Sequence, residues 1–163
     1  MIELEKSQLE AIYAILDKVQ LNKIFDAEIR KSILKLVLAV SKELDSMRRD
    51  IEQMKAKYFS EFSEEDKQVF QNGVFEVEKL VRANALEEAK VKDIETSEKY
   101  PELTKAYLAL NNDLAELQKE KISLNIEKFS LDSFLDAMVG QPINITMKEL
   151  NLLNSIFNND TEN

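Results

Sequence analysis

Eight apolar residues spaced alternately four and three positions apart are the feature that most restricts the fold of this chain. They are Ile33, Val37, Val40, Leu44, Met47, Ile51, Met54 and Tyr58. The alternation averages 3.5 residues, so on a helix these side chains form one seam that is buried against another helix. A helix from about Ala27 to Tyr58 would be about 48 Å long. Because a compact chain of this length has a diameter of only about 40 Å, the seam predicts an elongated molecule.

A second seam with the same alternation predicts the partner helix. Its members are Leu103, Tyr107, Leu110, Leu114 and Leu117. The two seams together predict a coiled-coil-like antiparallel helical hairpin, with paired long helices over 27-58 and 102-121. The second seam covers about 15 residues against about 26 in the first, so part of the first seam is left for the 59-100 region or for another molecule.

Glycine and proline are scarce, which supports long helices with few connections. The 163 residues include two glycines and two prolines, and charged residues make up 33%. A sandwich or barrel needs many more turn residues, whereas Glu and Lys are good helix formers. We therefore expect one mainly α domain over 1-163, in which 59-100 is the distal region and 1-25 and 122-158 form a proximal sheet and short helices.

Both ends of the chain share a strand-then-helix pattern. Apolar residues alternate with polar ones over 2-4, 122-126 and 143-145, which predicts three short strands in a small sheet that joins the N- and C-terminal segments. Capping boxes that begin at Ser7 and at Thr146 predict a short amphipathic helix after each terminal strand.

The 59-100 region leaves one local structure open. Asn72-Gly73 lies between apolar pairs, which is a strong hairpin signal, yet the apolar spacing around it also fits a helix. Residues 66-80 are therefore either a helix or an Asn-Gly hairpin. Ser63, followed by three acidic residues, predicts a helix start. The polar segment 93-101 predicts a loop.

The composition argues against most catalytic and metal chemistry. The sequence has no histidine, cysteine or tryptophan, so the usual zinc, haem and iron–sulfur ligands and the commonest general base are missing. The acidic clusters lack the spacing of a calcium loop and are typical of solvated helix faces. We expect no enzymatic activity, no cofactor and no metal site.

The charge and the hydropathy pattern restrict the partners. A formal net charge of −9 argues against direct nucleic-acid binding. No apolar stretch approaches the roughly 20 residues that cross a membrane, and the N-terminus does not resemble a secretory signal. We expect a cytoplasmic protein, located in the host-cell cytoplasm or the virion if a phage encodes it.

The densest aromatic group lies in the distal region and is the best candidate for an interaction site. It consists of Phe59, Phe62, Phe70 and Phe75. Exposed aromatics at the tip of a hairpin would anchor a partner; burial in the distal core is the alternative, and the commoner environment for aromatics. The candidate site also includes the last three residues of the first seam, Ile51, Met54 and Tyr58.

The pattern at the two ends of the chain is similar to that of a known kind of protein. Residues 2-16, the long charged helix and the ending Ile143-Asn-Ile-Thr-Met-Lys-Glu-Leu-Asn-Leu-Leu resemble small helical proteins of unknown function encoded by tailed phages and prophages. The basic residues of that family's long helix are represented only by Arg48 and Arg49. The paired helices are also similar to the helical hairpin of prefoldin-type proteins. Neither resemblance implies functional residues.

These features favour a non-catalytic helical protein–protein interaction or assembly protein, which uses surplus seam surface for a protein partner or for self-association. The alternative is an acidic inhibitor of a host nucleic-acid-handling or defence enzyme. Salt separates the two functions, since charge-driven binding weakens steeply with ionic strength and apolar association does not.

Overall fold

The computed structural model describes residues 1–158 and is mainly α-helical, with one two-stranded antiparallel sheet. The predicted fold class is confirmed. The elements are β1 (Ile2–Glu5), α1 (Leu9–Leu16), α2 (Ala27–Phe59), α3 (Glu64–Arg82), α4 (Leu86–Lys99), α5 (Pro101–Lys119), β2 (Lys121–Leu124), α6 (Leu131–Met138) and α7 (Met147–Leu152). Three short 3-10 turns lie at Lys6–Gln8, Leu21–Lys23 and Leu153–Ile156.

The chain forms two compact units. The first contains residues 1–49 together with the described residues from 117 onward, and the second contains residues 50–116. The boundaries fall inside α2 and α5. The single elongated domain over 1-163 stays a prediction.

The first unit is built around a small sheet and an aliphatic core. Strands β1 and β2 pair Ile2 with Leu124 and Leu4 with Ile122. Ile2, Leu4 and Leu124 are buried together with apolar residues of the helices, and Ile122 is half-buried. Phe134 packs edge-on against Phe157, with ring centroids 5.3 Å apart. The buried helical residues include Leu9, Ile12, Ile15, Leu16, Ile33, Leu36, Val40, Leu44 and Met47.

The predicted strand at 143-145 is wrong, and the predicted strand over 122-126 is shifted to Lys121–Leu124. Residues 143–145 precede Thr146, which is the N-cap of α7 and is itself extended. A residue before a helix is extended whether or not it pairs, so a three-residue alternation there does not require a ladder. The C-terminal segment instead makes a single parallel bridge: the Phe129 N–H donates to Ile156 at 2.8 Å, and the Asn158 N–H donates to Phe129 at 2.7 Å.

One of the two predicted capping boxes is confirmed. The Thr146 N–H donates to the Glu149 carboxylate at 2.9 Å, and the Glu149 N–H donates to the Thr146 hydroxyl at 3.2 Å. The box at Ser7 is wrong. Because Glu5 is the last extended residue before a 3-10 turn, the capping contact forms there, with Gln8 Oε1 accepting the Glu5 N–H at 2.9 Å.

The second unit contains a hairpin of helices α3 and α4. Helix α3 begins at the predicted cap, where the Ser63 hydroxyl accepts the Asp66 N–H at 3.1 Å. The Asn-Gly hairpin over 66-80 is excluded because α3 is continuous through Gly73. A Cβ on Gly73 would lie 2.7 Å from Thr96 Oγ1, so this glycine permits the close approach of the two helices.

The predicted loop over 93-101 is also wrong, since α4 continues to Lys99. Its packed face carries small residues: Ala89 is buried and Thr96 is half-buried. Lys92 forms an ion pair with Glu76 of α3 at 2.9 Å. These contacts stabilise a helix whose own sequence lacks a large apolar stripe on its packed side.

Candidate functional site

The burial of the first seam changes along α2. In the first unit Ile33, Val40, Leu44 and Met47 are buried and Val37 is half-buried. In the second unit the remaining seam residues, Ile51, Met54 and Tyr58, are all half-buried. The incompletely covered part of the seam therefore lies at the C-terminal end of α2, in the second unit.

A cleft opens beside this segment, within the second unit. Its volume is about 560 Å³, which falls in the range of known binding pockets. It is formed by the end of α2, the first half of α3 and the first half of α5. Its lining residues are Glu52, Lys55, Ala56, Phe59, Ser60, Lys67, Phe70, Gln71, Leu103, Tyr107 and Leu110.

The floor of the cleft is apolar and tightly packed. Phe70 is 4% exposed and contacts two tyrosines edge-on, with ring centroids 5.7 Å from Tyr107 and 6.4 Å from Tyr100. Leu103 and Leu110 of α5 are buried on the same side. A floor of interlocked rings and leucines holds its shape before a partner arrives, which lowers the entropic cost of binding.

A hydrogen bond joins the two helices near the cleft. The Tyr58 hydroxyl of α2 donates to Asp113 Oδ2 of α5 at 2.5 Å. This hydrogen bond, with smaller contributions from desolvation and from the carboxylate charge, raises the pKa of Tyr58. The phenol is therefore held protonated as a donor, and it fixes the end of α2 beside α5.

The charged residues at the cleft are ion-paired along their own helices. Lys55 pairs with Glu52 at 2.9 Å, and Lys67 pairs with Glu64. Such a rim is polar but close to neutral, which is typical of the edge of a protein–protein interface.

The structure places the predicted site residues in three different environments. Phe59 and Phe70 line the cleft, Phe59 at its wall and Phe70 at its floor. Phe62 is half-buried outside the cleft, and Phe75 is 63% exposed on α3. The other three residues of the predicted site, Ile51, Met54 and Tyr58, lie next to the lining on α2 and are not part of it.

The residues of α5 that line the cleft lie outside the predicted site. Leu103, Tyr107 and Leu110 belong to the second seam, so their alignment was available as a sequence signal. Ala56 and Lys67 carry no signal of their own, because each is an ordinary residue of a solvated helix face.

Within residues 1–158, no group of three or more acidic side chains is placed to hold a metal ion. None of the helices that the structure describes combines the length and the apolar character needed to cross a membrane. Comparison with protein-family models, with curated proteins and with solved structures gives no match to this chain.

Proposed function

We propose that this chain is a non-catalytic helical interaction protein whose second unit binds a segment of another protein chain in the cleft. The observation that supports this function is the preformed apolar cleft between three helices, floored by Phe70, Leu103 and Leu110. Partner helices insert apolar side chains into grooves of this kind. Each aliphatic or aromatic side chain that a partner buries there contributes about 1.5–3 kcal/mol before the entropic costs of association.

The rim supports a protein partner over a charged small molecule. Both lysines of the cleft are neutralised by a carboxylate one helical turn away. A small anionic or cationic ligand would have to displace one member of such a pair, whereas an apolar side chain from a protein does not. The phage or prophage origin that the termini suggest would make the partner a virion protein or a host protein.

A pair of matched variants tests the function. Ala56 is exposed and lines the cleft, so Ala56→Glu introduces a charge there without removing a packed side chain. Ala115 is exposed on α5 in the same unit and does not line the cleft, so Ala115→Glu makes the same charge change elsewhere. Association is measured by light scattering after size exclusion, and by quantitative co-purification from the cells that make the protein.

We expect the wild-type protein and Ala115→Glu to associate with the same protein chain, either a second copy or a different protein. Ala56→Glu should lose that association at least tenfold, because the partner would have to desolvate a carboxylate. A strict monomer that co-purifies with nothing would overturn the proposal, and so would equal association of the two variants.

The charge distribution supports a second function, the acidic inhibitor. The second unit contains 16 acidic and 9 basic residues, so it holds −7 of the formal charge of −9. An inhibitor that imitates nucleic acid would bind through this field. Its affinity should fall steeply between 50 and 500 mM salt and should be insensitive to Ala56→Glu.

A further inference from the structure

Helix α4 has the reverse of the usual arrangement of apolar residues. Its packed face carries Ala89 and Thr96, while its large apolar side chains face solvent. Leu86 is 57% exposed, Val91 58% and Ile94 47%. A surface helix normally turns its large apolar residues inward, so the outer face of α4 is available to cover another surface.

A second groove lies on this face, between the end of α3 and the first turns of α4. Its volume is about 380 Å³, and its lining residues are Leu80, Glu87, Glu88, Val91, Lys92 and Glu95. We call it the acidic groove. It shares no residue with the cleft, so the two surfaces can be tested separately.

The charges of the acidic groove are almost entirely negative. Three carboxylates surround Val91 on one side of the helix. Glu87 lies four positions before Val91, Glu88 three positions before it and Glu95 four positions after it. The only cation in the lining, Lys92, is engaged by Glu76 at 2.9 Å. The hydrogen bond that the Lys92 ammonium donates to this carboxylate raises the pKa of Lys92 and keeps the pair charged.

We propose that the acidic groove binds a basic amphipathic helix of a partner protein. The apolar side chains of such a helix cover Leu80 and Val91, and its flanking Lys or Arg residues pair with Glu88 and Glu95. The three carboxylates repel acidic segments, nucleic acid and anionic lipid, which leaves a cationic protein segment as the complementary occupant. This inference does not rest on the proposed function of the cleft.

Fluorescence anisotropy with designed peptides tests the inference on the full chain at about 150 mM salt. The probe is a labelled 18-residue Leu–Lys peptide with its leucines on one helical face. One control peptide replaces every lysine by glutamate, and a second scrambles the same Leu and Lys residues so that no apolar face forms. We expect binding of the Leu–Lys peptide alone. Equal binding of the scrambled peptide would reduce the effect to bulk charge and would overturn the inference.

Two matched pairs of variants locate the binding. Val91→Ser is compared with Leu108→Ser, since both side chains are more than half exposed and only the first lines the acidic groove. Glu88→Gln/Glu95→Gln is compared with Glu61→Gln/Glu65→Gln, which makes the same charge change at exposed positions elsewhere in the unit. We expect a loss of at least fivefold for each groove variant and less than twofold for each control.

A measurement on the wild-type protein keeps the test independent of the variants. Peptide-induced changes in amide chemical shift should concentrate at residue 80 and over residues 87–95. Changes that concentrate elsewhere, or groove variants that bind like their controls, would overturn the inference. Ala56→Glu should leave peptide binding unchanged, so failure of the cleft and failure of the acidic groove give different results.

Discussion

Replacing Gly73 by alanine would place a methyl group directly in the contact between α3 and α4. The new Cβ would lie 2.7 Å from Thr96 Oγ1 and 2.8 Å from Thr96 Cγ2, well inside the optimal separation of about 3.5–4.0 Å. Thr96 is poorly able to move away, because its hydroxyl donates to the Lys92 carbonyl at 2.9 Å and its branched side chain has few rotamers.

Two opposing effects determine how much Gly73→Ala changes the free energy of unfolding. Alanine is favoured over glycine inside a helix by about 1 kcal/mol, while overpacking a close contact costs about 1–3 kcal/mol. We expect Gly73→Ala to lower the free energy of unfolding by about 1 kcal/mol. In a Thr96→Ala background only Cβ remains, at 3.4 Å, so the same substitution should raise the free energy of unfolding by up to about 1 kcal/mol.

Urea unfolding of the four proteins, followed by circular dichroism at 222 nm, gives the coupling between the two positions. We expect a coupling free energy of about 2 kcal/mol, in the range found for residues in direct contact. Amide hydrogen exchange in α3 should report the same change locally. An equal effect of Gly73→Ala in both backgrounds would mean that Gly73 and Thr96 are not in contact, and it would contradict the close approach of α3 and α4.

Three further predictions concern single sites. Gly140 has a φ of +76°, and no atom lies within 4 Å of a Cβ added there. Gly140→Ala should therefore lower the free energy of unfolding by about 1 kcal/mol through backbone strain alone. Urea unfolding should show no coupling between Gly140→Ala and Thr96→Ala. Hydrogen bonds from the Thr146 N–H and, next in size, from Lys18 lower the pKa of Glu149 to about 2. The Glu149 carboxylate therefore stabilises the fold above about pH 4.5, and this stabilisation is lost as the pH falls towards 2. The difference in urea midpoint between the wild-type protein and Glu149→Gln should therefore shrink across that interval, and a constant difference would contradict the assignment. Asp113→Ala removes both the acceptor and the carboxylate charge that raise the pKa of Tyr58, so that pKa should fall towards 10.0, measured at 295 nm against Tyr58→Phe; an unchanged titration would contradict the hydrogen bond.

The sequence was sufficient to predict an element of the fold where the signal is local or strongly periodic. The 4-3 spacing of the first seam predicted α2, and Ser63 and Thr146 predicted the starts of α3 and α7, because a cap is decided by a few neighbouring residues. The fold class followed from the same long helices and from the scarcity of glycine and proline.

The failures share a physical cause, which is the dependence of the structure on distant residues. The Asn72-Gly73 pattern left a helix and a hairpin equally open, and the packing of Thr96 against Gly73, which favours the helix, is not visible in the local sequence. Helix α4 is stabilised by contacts of Ala89 and Lys92 with α3, and small or charged residues leave no periodic apolar signal. The bridge between Phe129 and Phe157 joins single residues far apart in the chain, which no short pattern can indicate.

The candidate site could be predicted only in part. The aromatic group located the second unit and two residues of the cleft, Phe59 and Phe70. Whether an aromatic side chain is buried, lines the cleft or is exposed to solvent depends on the helix that packs opposite it. Leu103 and Tyr107 of α5 form that opposing surface, and the register of α5 against α3 is not encoded in either segment alone.

Site-specific photocrosslinking from the edge of the cleft shows whether a protein chain binds there. Gln71 is exposed and lines the cleft, whereas Gln53 is exposed on α2 outside it. Each is replaced in turn by benzoylphenylalanine, and the protein is irradiated in the cells that make it. We predict a protein adduct from position 71 that disappears in the Ala56→Glu background, and none from position 53. Equal adducts from both positions, or none from position 71, would contradict the assignment of the cleft as a protein-binding site.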